Sequence, residues 1–475
     1  MTKFPSRRFN IAIYSYCLLF LFVLLVPGCN TGEGGNNPPP LTDSSYEETE
    51  IISMEDALGL GETASPVSDE ESGTTVVIIS DLHMGDQRSK DGGYGWLIKN
   101  DALLADFLNQ LADSSSVDEM VIAGDLFDEW VAPMEYDAFN SYGAGPEGES
   151  RFVDSIVEAH PEVIRAIRRV IASGIKVTYV PGNHDMLVTE ADIERIFPGI
   201  NQTRDASGLG AYSPDGLPWV VIEHGHRYDF FNAPDMYSNR IPSSPENITD
   251  NPNAIIPPGF FVSKIAASHD IEFPAVPSLN DSSRERSGPF VYWLAWQAIL
   301  SQIPVEEDHD QRIIKTGIDG YTGVFAINHL VPEIKGFVVQ EPLLYQKIED
   351  NWQKRQAQNL VNVPISVASG LLTGSLDFWC DFQSYTQYFL PDPNRRIVVF
   401  GHTHHATAGY RINSKLQKCI YANSGTWIDR GDPDRTFVVI KTSHPSNGKT
   451  DANVGVYQFT EDHRAKKLHE KTITR

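Results

Sequence analysis

The sequence predicts an α/β fold in which a large, mostly helical segment interrupts the part of the chain that forms the sheets. Continuous apolar runs rich in β-branched residues, such as Thr75–Ser80, are typical of strands buried on both faces. Amphipathic segments at 101–111 and 163–172 lie between the first three of these runs, as in βαβ units. Between about residues 230 and 394 the apolar spacing becomes helical instead.

The strand-like runs fall into two groups, one on each side of that helical segment. The first group predicts strands at 75–80, 119–123, 176–180 and 219–222. The second group predicts strands at 396–400, 418–421, 435–440 and 454–458. Between the groups, helical periodicity is clearest around 292–303, 342–357 and 371–390. No internal repeat is evident.

The N-terminus has the pattern of an export signal. A basic start precedes the apolar run Ile11–Val26, which is short for a membrane span. The sequence Val-Pro-Gly-Cys at 26–29 resembles a bacterial lipoprotein box, which predicts cleavage before Cys29 and a lipid on its sulfur. An ordinary secretory signal cut nearby and a short uncleaved anchor are the alternatives. All three interpretations predict an exported protein. The lipoprotein interpretation also predicts a lipid anchor at the periplasmic side or the cell surface.

Residues 29–74 have the composition of a flexible acidic linker. They contain eleven Asp and Glu residues and no Lys or Arg, so the segment repels itself and is expected to stay extended. The whole chain has a formal net charge of −25. That charge excludes a nucleic-acid binder, because such proteins need a basic surface.

The predicted organisation has five parts. A signal peptide at 1–28 and the linker at 29–74 precede the first part of the sheet-forming domain at 75–230. A helical insertion or cap follows at 231–394, and the second part of the domain is 395–475. Of the four cysteines, Cys380 and Cys419 remain in the mature body, where one disulfide is possible and two buried thiols are the alternative.

Five polar patches supply the candidate site. Most of them directly follow a predicted strand: Asp81-Leu82-His83, Gly124-Asp125, Gly182-Asn183-His184-Asp185, His224-Gly225-His226 and Gly401-His402-Thr403-His404. Because ligands bind at the carboxyl ends of strands in α/β sheets, we expect these patches to converge.

The patches together offer the ligands that two adjacent cations need. Two ions a few ångströms apart require oxygen and nitrogen ligands and one carboxylate that can bridge them. The set provides three oxygen side chains and four imidazoles: Asp81, Asp125, Asn183, His83, His224, His402 and His404. One of the oxygens comes from a neutral Asn, which leaves net positive charge to bind phosphate.

These residues resemble the signature of the calcineurin-like metallophosphoesterases: D-x-H, G-D-x-x-D, G-N-H-D, H-G-H and G-H-x-H. The resemblance covers about 75–229 and 395–456 and implies a four-layer α/β/β/α sandwich with two divalent ions. It implies one ion on Asp81, His83, Asp125 and His404. It implies the other on Asp125, Asn183, His224 and His402, with Asp125 as the bridge.

Family members of the purple acid phosphatase type carry a tyrosine where this chain has Asp128. Its absence disfavours an iron–phenolate centre and leaves manganese, zinc and iron open. Asp128 is expected to support the site rather than bind a metal. His226 is expected either near the site or at the surface. The turn 423–427 resembles one that supports the site in this family.

His184 is the catalytic candidate that is not a ligand. It adjoins Asn183, so it cannot easily share the same ion, and it is expected to stabilise the transition state and protonate the leaving oxygen. Asp185 is expected to hold its imidazole. The nucleophile would be a hydroxide bridging the two metals.

The sequence therefore predicts a metal-dependent hydrolase of a phosphomonoester, phosphodiester or diphosphate, with a small-molecule or lipid substrate. The alternative is a non-catalytic surface lipoprotein of the same fold that binds metal or phosphate.

Overall fold

The computed structural model describes residues 50–59, 73–92, 95–131, 151–205, 207–238, 256–267, 289–300, 314–318, 321–374, 377–443 and 449–475. The predicted signal peptide, Cys29 and residues 29–49 lie outside this part of the chain. Among the described residues, no helix is both long and apolar enough to span a membrane.

The described residues form sixteen strands. They are β1 Ile51–Ile52, β2 Thr75–Ile79, β3 Glu119–Ala123, β4 Lys176–Val180, β5 Asn201–Gln202, β6 Val220–Ile222, β7 Ile314–Ile318, β8 Tyr321–Phe325, β9 Glu333–Lys335, β10 Val338–Gln340, β11 Ile397–Phe400, β12 Thr407–Ile412, β13 Lys418–Asn423, β14 Thr436–Ser443, β15 Asp451–Phe459 and β16 Ala465–Thr474.

The α-helices are α1 Met54–Leu58, α2 Gln87–Gly92, α3 Asp101–Asp113, α4 Arg151–Ala159, α5 Pro161–Ala172, α6 Glu190–Ile196, α7 Pro258–Ala267, α8 Phe290–Leu300, α9 Trp352–Gln358, α10 Val367–Thr373 and α11 Asp377–Ser384. Short 3₁₀ turns occupy His226–Tyr228 and Ile327–His329, and a π-helical turn occupies Tyr385–Phe389.

Two sheets carry the polar patches. The larger has the order β1-β16-β15-β14-β2-β3-β4-β5, and the smaller has the order β12-β13-β11-β6. Strands β2, β3 and β4 are parallel neighbours, and β11 is parallel to both β6 and β13. Ile79 is level with Ile122, and Val399 is level with Ile222. The carboxyl ends of these strands therefore lie side by side within each sheet.

The two sheets pack face to face between two helical layers. An apolar core joins residues of the larger sheet, such as Ile78, to residues of the smaller, such as Val399. Helices α3 and α5 cover the outer face of the larger sheet through residues such as Phe107 and Ile167. Phe389 and Cys380 pack on the outer face of the smaller sheet. The predicted four-layer α/β/β/α class is confirmed.

The predicted linker ends earlier than its composition indicates. Ile51 and Ile52 pair with Lys466 and Ala465 at the edge of the larger sheet. The following helix α1 is capped by Ser53 and buries Met54, Ala57 and Leu58. The boundary predicted at residue 74 is therefore corrected for residues 50–59, because a few apolar side chains within the acidic segment dock on the core.

The described residues between 231 and 394 build a core of their own. Helices α7 to α11 lie in this stretch, together with the hairpins β7–β8 and β9–β10, which the helical periodicity does not predict. Large buried rings such as Trp296 and Trp352 form its apolar centre. Trp130 and Leu187, which precede the insertion in sequence, belong to the same cluster.

Cys380 and Cys419 are both buried thiols, and no disulfide links them. They lie in one apolar cluster, but Cys419 Sγ is directed at the backbone carbonyl oxygens of Gln417 and Arg395, at 3.6 and 3.7 Å. The possible disulfide predicted from the sequence is therefore not formed in this structure.

Candidate metal centre

The structure brings all seven predicted ligands to one rim. They follow β2, β3 and β4 in the larger sheet and β6 and β11 in the smaller. Backbone bonds join the loops, since Asp125 O accepts from the N–H groups of Leu82 and His83. His402 N–H donates to the Asp81 carboxylate at 3.1 Å, which ties the two sheets together at this point.

One cluster of ligand atoms gathers Asp81, His83 and His404. The Nε2 atoms of His83 and His404 are 3.0 Å apart, and His404 Nε2 lies 3.2 Å from Asp81 Oδ1. His83 Nε2 lies 3.8 Å from the same carboxylate oxygen. The atoms point into one small space, as the ligands of a single cation do.

A second cluster gathers Asp125, His224 and His402. His224 Nε2 lies 3.1 Å from Asp125 Oδ2 and 3.1 Å from Asn183 Oδ1. The amide oxygen of Asn183 thus faces the same space as the imidazole and the carboxylate.

Asp125 lies between the two clusters. Its Oδ2 atom is 3.6 Å from His83 Nε2 of the first cluster and 3.1 Å from His224 Nε2 of the second. The other oxygen accepts a hydrogen bond from His184 N at 2.8 Å, which fixes the carboxylate. This is the place that a bridging ligand must occupy.

Five of the seven predicted ligands have a left-handed backbone. The φ angles are 55° at Asp81, 49° at His83, 53° at Asp125, 70° at His402 and 62° at His404. This conformation is uncommon for residues other than glycine, and such strain is concentrated at functional sites. The fold therefore stabilises an unfavourable backbone in order to direct these side chains inward.

Two glycines allow the loops to approach one another. Gly124 has a φ of 91°, and a Cβ there would lie 2.4 Å from His224 Nδ1. At Gly182 a Cβ would lie 2.1 Å from Asp125 Oδ1. Any side chain at either position would displace a predicted ligand.

Three of the four imidazoles have a ring nitrogen within hydrogen-bond distance of a carboxylate or carbonyl oxygen outside the seven predicted ligands. His83 Nδ1 lies 2.8 Å from Asp128 Oδ2, His224 Nδ1 lies 2.9 Å from Ala123 O, and His402 Nε2 lies 3.0 Å from Asp229 Oδ2. Metal-bound histidines characteristically donate their second ring N–H to a carboxylate or a carbonyl. The donor set and its outer partners therefore fit two divalent cations.

Burial and neighbouring charges shift the pKa values of the site residues. Burial alone would raise the pKa of Asp81, but His224, His404 and His83 lower it below its usual value. Burial alone would lower the pKa of His83, but hydrogen bonds to Asp128 and Asp81 raise it to about 10. The Asp81 carboxylate thus stays ionised and attracts cations.

His184 lies beside the first cluster and is held by Asp128. Its Nδ1 atom is 2.7 Å from Asp128 Oδ1, and the same oxygen accepts from Trp130 N at 2.9 Å. The other oxygen of Asp128 lies 2.8 Å from His83 Nδ1. Asp128 therefore supports the site, as the sequence predicts, and it orients two imidazoles at once.

The role expected of Asp185 is wrong. Its carboxylate accepts from the backbone N–H groups of Phe127 at 2.7 Å, Leu126 at 3.0 Å and Gly182 at 3.2 Å. Burial and repulsion from Asp125 raise the pKa of Asp185 to about 6. Asp185 therefore fixes the loop that carries His184, while Asp128, across the neighbouring loop, holds the ring.

His226 is buried rather than at the surface. Its ring lies 5.3 Å from that of His224 and 6.3 Å from that of His402, between centroids. Neither ring nitrogen has a hydrogen-bond partner among the described residues. Burial holds the pKa of His226 well below its usual value, so the ring is neutral beside the second cluster.

Three further residues at the site are not predicted from the sequence. Asp229 holds His402, and its only sequence signal is a position five residues after His224. Trp96 lies with its ring centroid 4.5 Å from that of His83 and 5.7 Å from that of His184. Trp130 stacks on His184 at 4.2 Å with an interplanar angle of 28°. No motif marks either tryptophan.

The turn 423–427 supports the rim. Asn423 Nδ2 donates to Gly401 O at 2.7 Å, and Thr426 Oγ1 donates to Asp81 O at 2.9 Å. Trp427 N donates to the same carbonyl at 3.1 Å. His405 is exposed and makes no contribution to either cluster.

Residues 74–258 match the profile of a protein family described as calcineurin-like phosphoesterase. Among the solved structures that match is the phosphopantetheinyl hydrolase from Mycobacterium tuberculosis, 13% identical, with 75% of this chain and 90% of that chain covered and a TM-score of 0.23. At that identity and TM-score the likeness carries no argument about this chain. No curated protein matches it significantly.

Proposed function

We propose that this chain, whose residues 74–258 belong to the calcineurin-like phosphoesterase family, is a metal-dependent phosphohydrolase that uses two divalent ions. Manganese, zinc and iron remain the candidates. The proposal rests above all on the position of Asp125. Its Oδ2 atom lies 3.6 Å from His83 Nε2 and 3.1 Å from His224 Nε2. One carboxylate thereby serves two groups of ligand atoms.

The first ion would lie among Asp81, His83, Asp125 and His404, and the second among Asp125, Asn183, His224 and His402. Bound there, the ions would supply positive charge that attracts a phosphoryl group and activates water. The outer partners Asp128, Ala123 O and Asp229 would keep the imidazoles of His83, His224 and His402 in the orientation that binds.

His184 is the proposed general acid. Its Nδ1 atom faces Asp128, so its Nε2 atom is the one left to meet a substrate oxygen. The Asp128 carboxylate orients the ring, and a proton on Nε2 can then pass to the oxygen of the departing alcohol or phosphate. The same N–H stabilises negative charge that develops on that oxygen.

The substrate is proposed to be a phosphomonoester, a phosphodiester or a diphosphate of a small molecule or lipid. The test is hydrolysis of chromogenic monoesters, diesters and nucleotide diphosphates with Mn²⁺, Zn²⁺ or Fe²⁺ added in turn. We expect hydrolysis of at least one class, and a loss of about 10²-fold or more in kcat for His184→Ala. If the wild-type chain binds metal but hydrolyses none of them, the chain is the binding protein instead. If it hydrolyses one of them and His184→Ala equals wild type, His184 is not the general acid.

We also propose that the chain is exported and anchored through a lipid on Cys29. Support comes from the basic start, the apolar run Ile11–Val26 and the lipoprotein-like box that ends at Cys29. Labelling cells with radioactive palmitate should mark the wild-type chain and leave Cys29→Ser unmarked. Equal labelling of both chains, or of neither, would rule this anchor out.

A further inference from the structure

The insertion reaches the catalytic imidazole through one short loop. Residues 128–131 wrap His184, because the Asp128 carboxylate binds one edge of the ring and the Trp130 indole covers one face. Trp130 is 1% exposed, and its indole N–H has no hydrogen-bond partner among the described residues. The indole is therefore held by packing alone.

Helix α7 of the insertion supplies that packing. The ring of Phe260 meets Trp130 edge to face, with centroids 5.8 Å apart. One helical turn further on, Lys264 Nζ donates to Glu129 O at 2.7 Å. Residues four apart lie on the same face of a helix. One face of α7 thus contacts two consecutive residues of the loop, Glu129 and Trp130.

The contact with Lys264 is buried and costly to lose. Lys264 is 1% exposed, and the charges of Glu129 and Asp128 attract its ammonium group. A buried ammonium without its acceptor carries a large desolvation penalty. This contact therefore restrains Glu129, the residue between Asp128 and Trp130.

The second loop at His184 is joined to the same core. Leu187, three residues after His184, is buried in the apolar cluster of the insertion together with Trp130 and Phe260. Both loops that determine the orientation of His184 thus contact the insertion as well as the core of the larger sheet.

From these contacts we infer that helix α7 positions His184 by gripping Glu129 and Trp130 through Lys264 and Phe260. The inference rests on the proposed function only for its kinetic test. Phe260, Lys264 and Trp130 are positioning residues, since they act on the substrate through His184. The insertion is then a working part of the catalytic centre as well as a cover for it.

The kinetic test compares two substrates that differ in their need for a general acid. The p-nitrophenolate of a p-nitrophenyl ester leaves readily without a proton. The phenolate of the phenyl ester of the same phosphate needs one. With Lys264→Met, kcat for the phenyl ester should fall about tenfold or more and kcat for the p-nitrophenyl ester less than about threefold. Trp130→Leu should do the same, and Trp130→Phe should recover part of the loss.

Trp296→Phe is the matched control. Trp296 is fully buried in the same cluster, and its ring neighbours are Phe231 and Tyr292 rather than His184. It should change stability and leave the ratio of the two kcat values unchanged. If Lys264→Met does not fold, Phe260→Leu tests the same grip. An equal effect on both esters from every variant at α7 or Trp130 would overturn the inference.

A second readout needs no turnover. A stacked indole shields the ring protons of His184, whose signal in a ¹³C-histidine spectrum can be assigned with His184→Ala. In full-length zinc-loaded protein, Lys264→Met replaces neither the Trp130 indole nor the His184 imidazole. An altered His184 shift therefore reports movement of the loop. An unchanged shift would overturn the inference. If the wild-type chain hydrolyses no phosphomonoester, phosphodiester or diphosphate while the shift does change, the proposed function fails and the positioning role stands.

Discussion

Asp128 Oδ1 lies 2.7 Å from His184 Nδ1, while its second oxygen lies 2.8 Å from Nδ1 of His83. One buried carboxylate therefore orients the proposed general acid and a proposed metal ligand together. Burial alone would raise the pKa of Asp128, but His184 and His83 lower it below its usual value. The carboxylate stays ionised across the range in which such an enzyme would work.

Asp128→Asn should lower kcat by about 10²-fold or more, because the amide cannot stabilise a protonated His184 and can favour the wrong ring tautomer. Steady-state hydrolysis of a phenyl phosphoester measures the loss. Asp192→Asn is the control, since Asp192 is also buried but binds Thr189 in a helix cap away from the site. Equal activity of the Asp128→Asn variant and this control would refute the role of Asp128.

Asp185→Asn should act on stability rather than on the chemical step. The change replaces an acceptor of backbone N–H groups with an amide that brings its own N–H toward them. The free energy of unfolding should fall by about 1–3 kcal/mol. Urea denaturation measures it. If kcat for the phenyl ester fell by about 10²-fold, as expected for Asp128→Asn, Asp185 would hold His184 after all.

Asp229→Asn should weaken one metal position and spare the other. His402 Nε2 faces Asp229, so losing the carboxylate loosens the ring that belongs to the second cluster. Loss of such a partner typically costs about 10- to 100-fold in metal affinity. Calorimetric titration of the metal-free chain should then resolve one unchanged and one weakened site. Two unchanged affinities would show that Asp229 does not act on His402.

Lys264 should make stability depend on pH in the alkaline range. Burial lowers the pKa of Lys264 from 10.5 to about 8, so the folded chain loses this proton near pH 8 and the unfolded chain keeps it to about pH 10.5. Because the unfolded state binds more protons between these values, this group makes stability rise with pH, by up to about 1.4 kcal/mol per pH unit.

Lys264→Met removes that contribution. Urea denaturation at pH 7.5, 8.5 and 9.5 should show the wild-type chain gaining stability relative to the variant as the pH rises. A constant difference across the three values would mean that Lys264 keeps an ordinary pKa.

The parts of the site that follow strands could be predicted from the sequence. Asp81, Asp125 and His402 each come two residues after the end of a strand, and the carboxyl ends of parallel neighbours lie side by side. The partner of His184 was predicted wrongly, because neighbours in sequence often point apart. Asp185 turns toward the backbone, and Asp128 reaches His184 from another loop.

Tertiary packing decided the remaining features. The acidic composition of residues 29–74 hides the three apolar side chains through which α1 docks on the sheet. The grip of Lys264 on Glu129 joins residues 135 positions apart, and no local pattern records such a contact. Burial of Cys419 against backbone carbonyls likewise could not be read from cysteine counting.

The most direct test of the proposed function is to measure bound metal and hydrolysis together in the wild-type chain and in Asp125→Asn. The proposed bridge predicts two metal ions per wild-type chain, fewer than two in the variant, and a loss of phosphoester hydrolysis that follows the loss of metal. A wild-type chain that holds two ions and hydrolyses a phosphoester no faster than Asp125→Asn would contradict it.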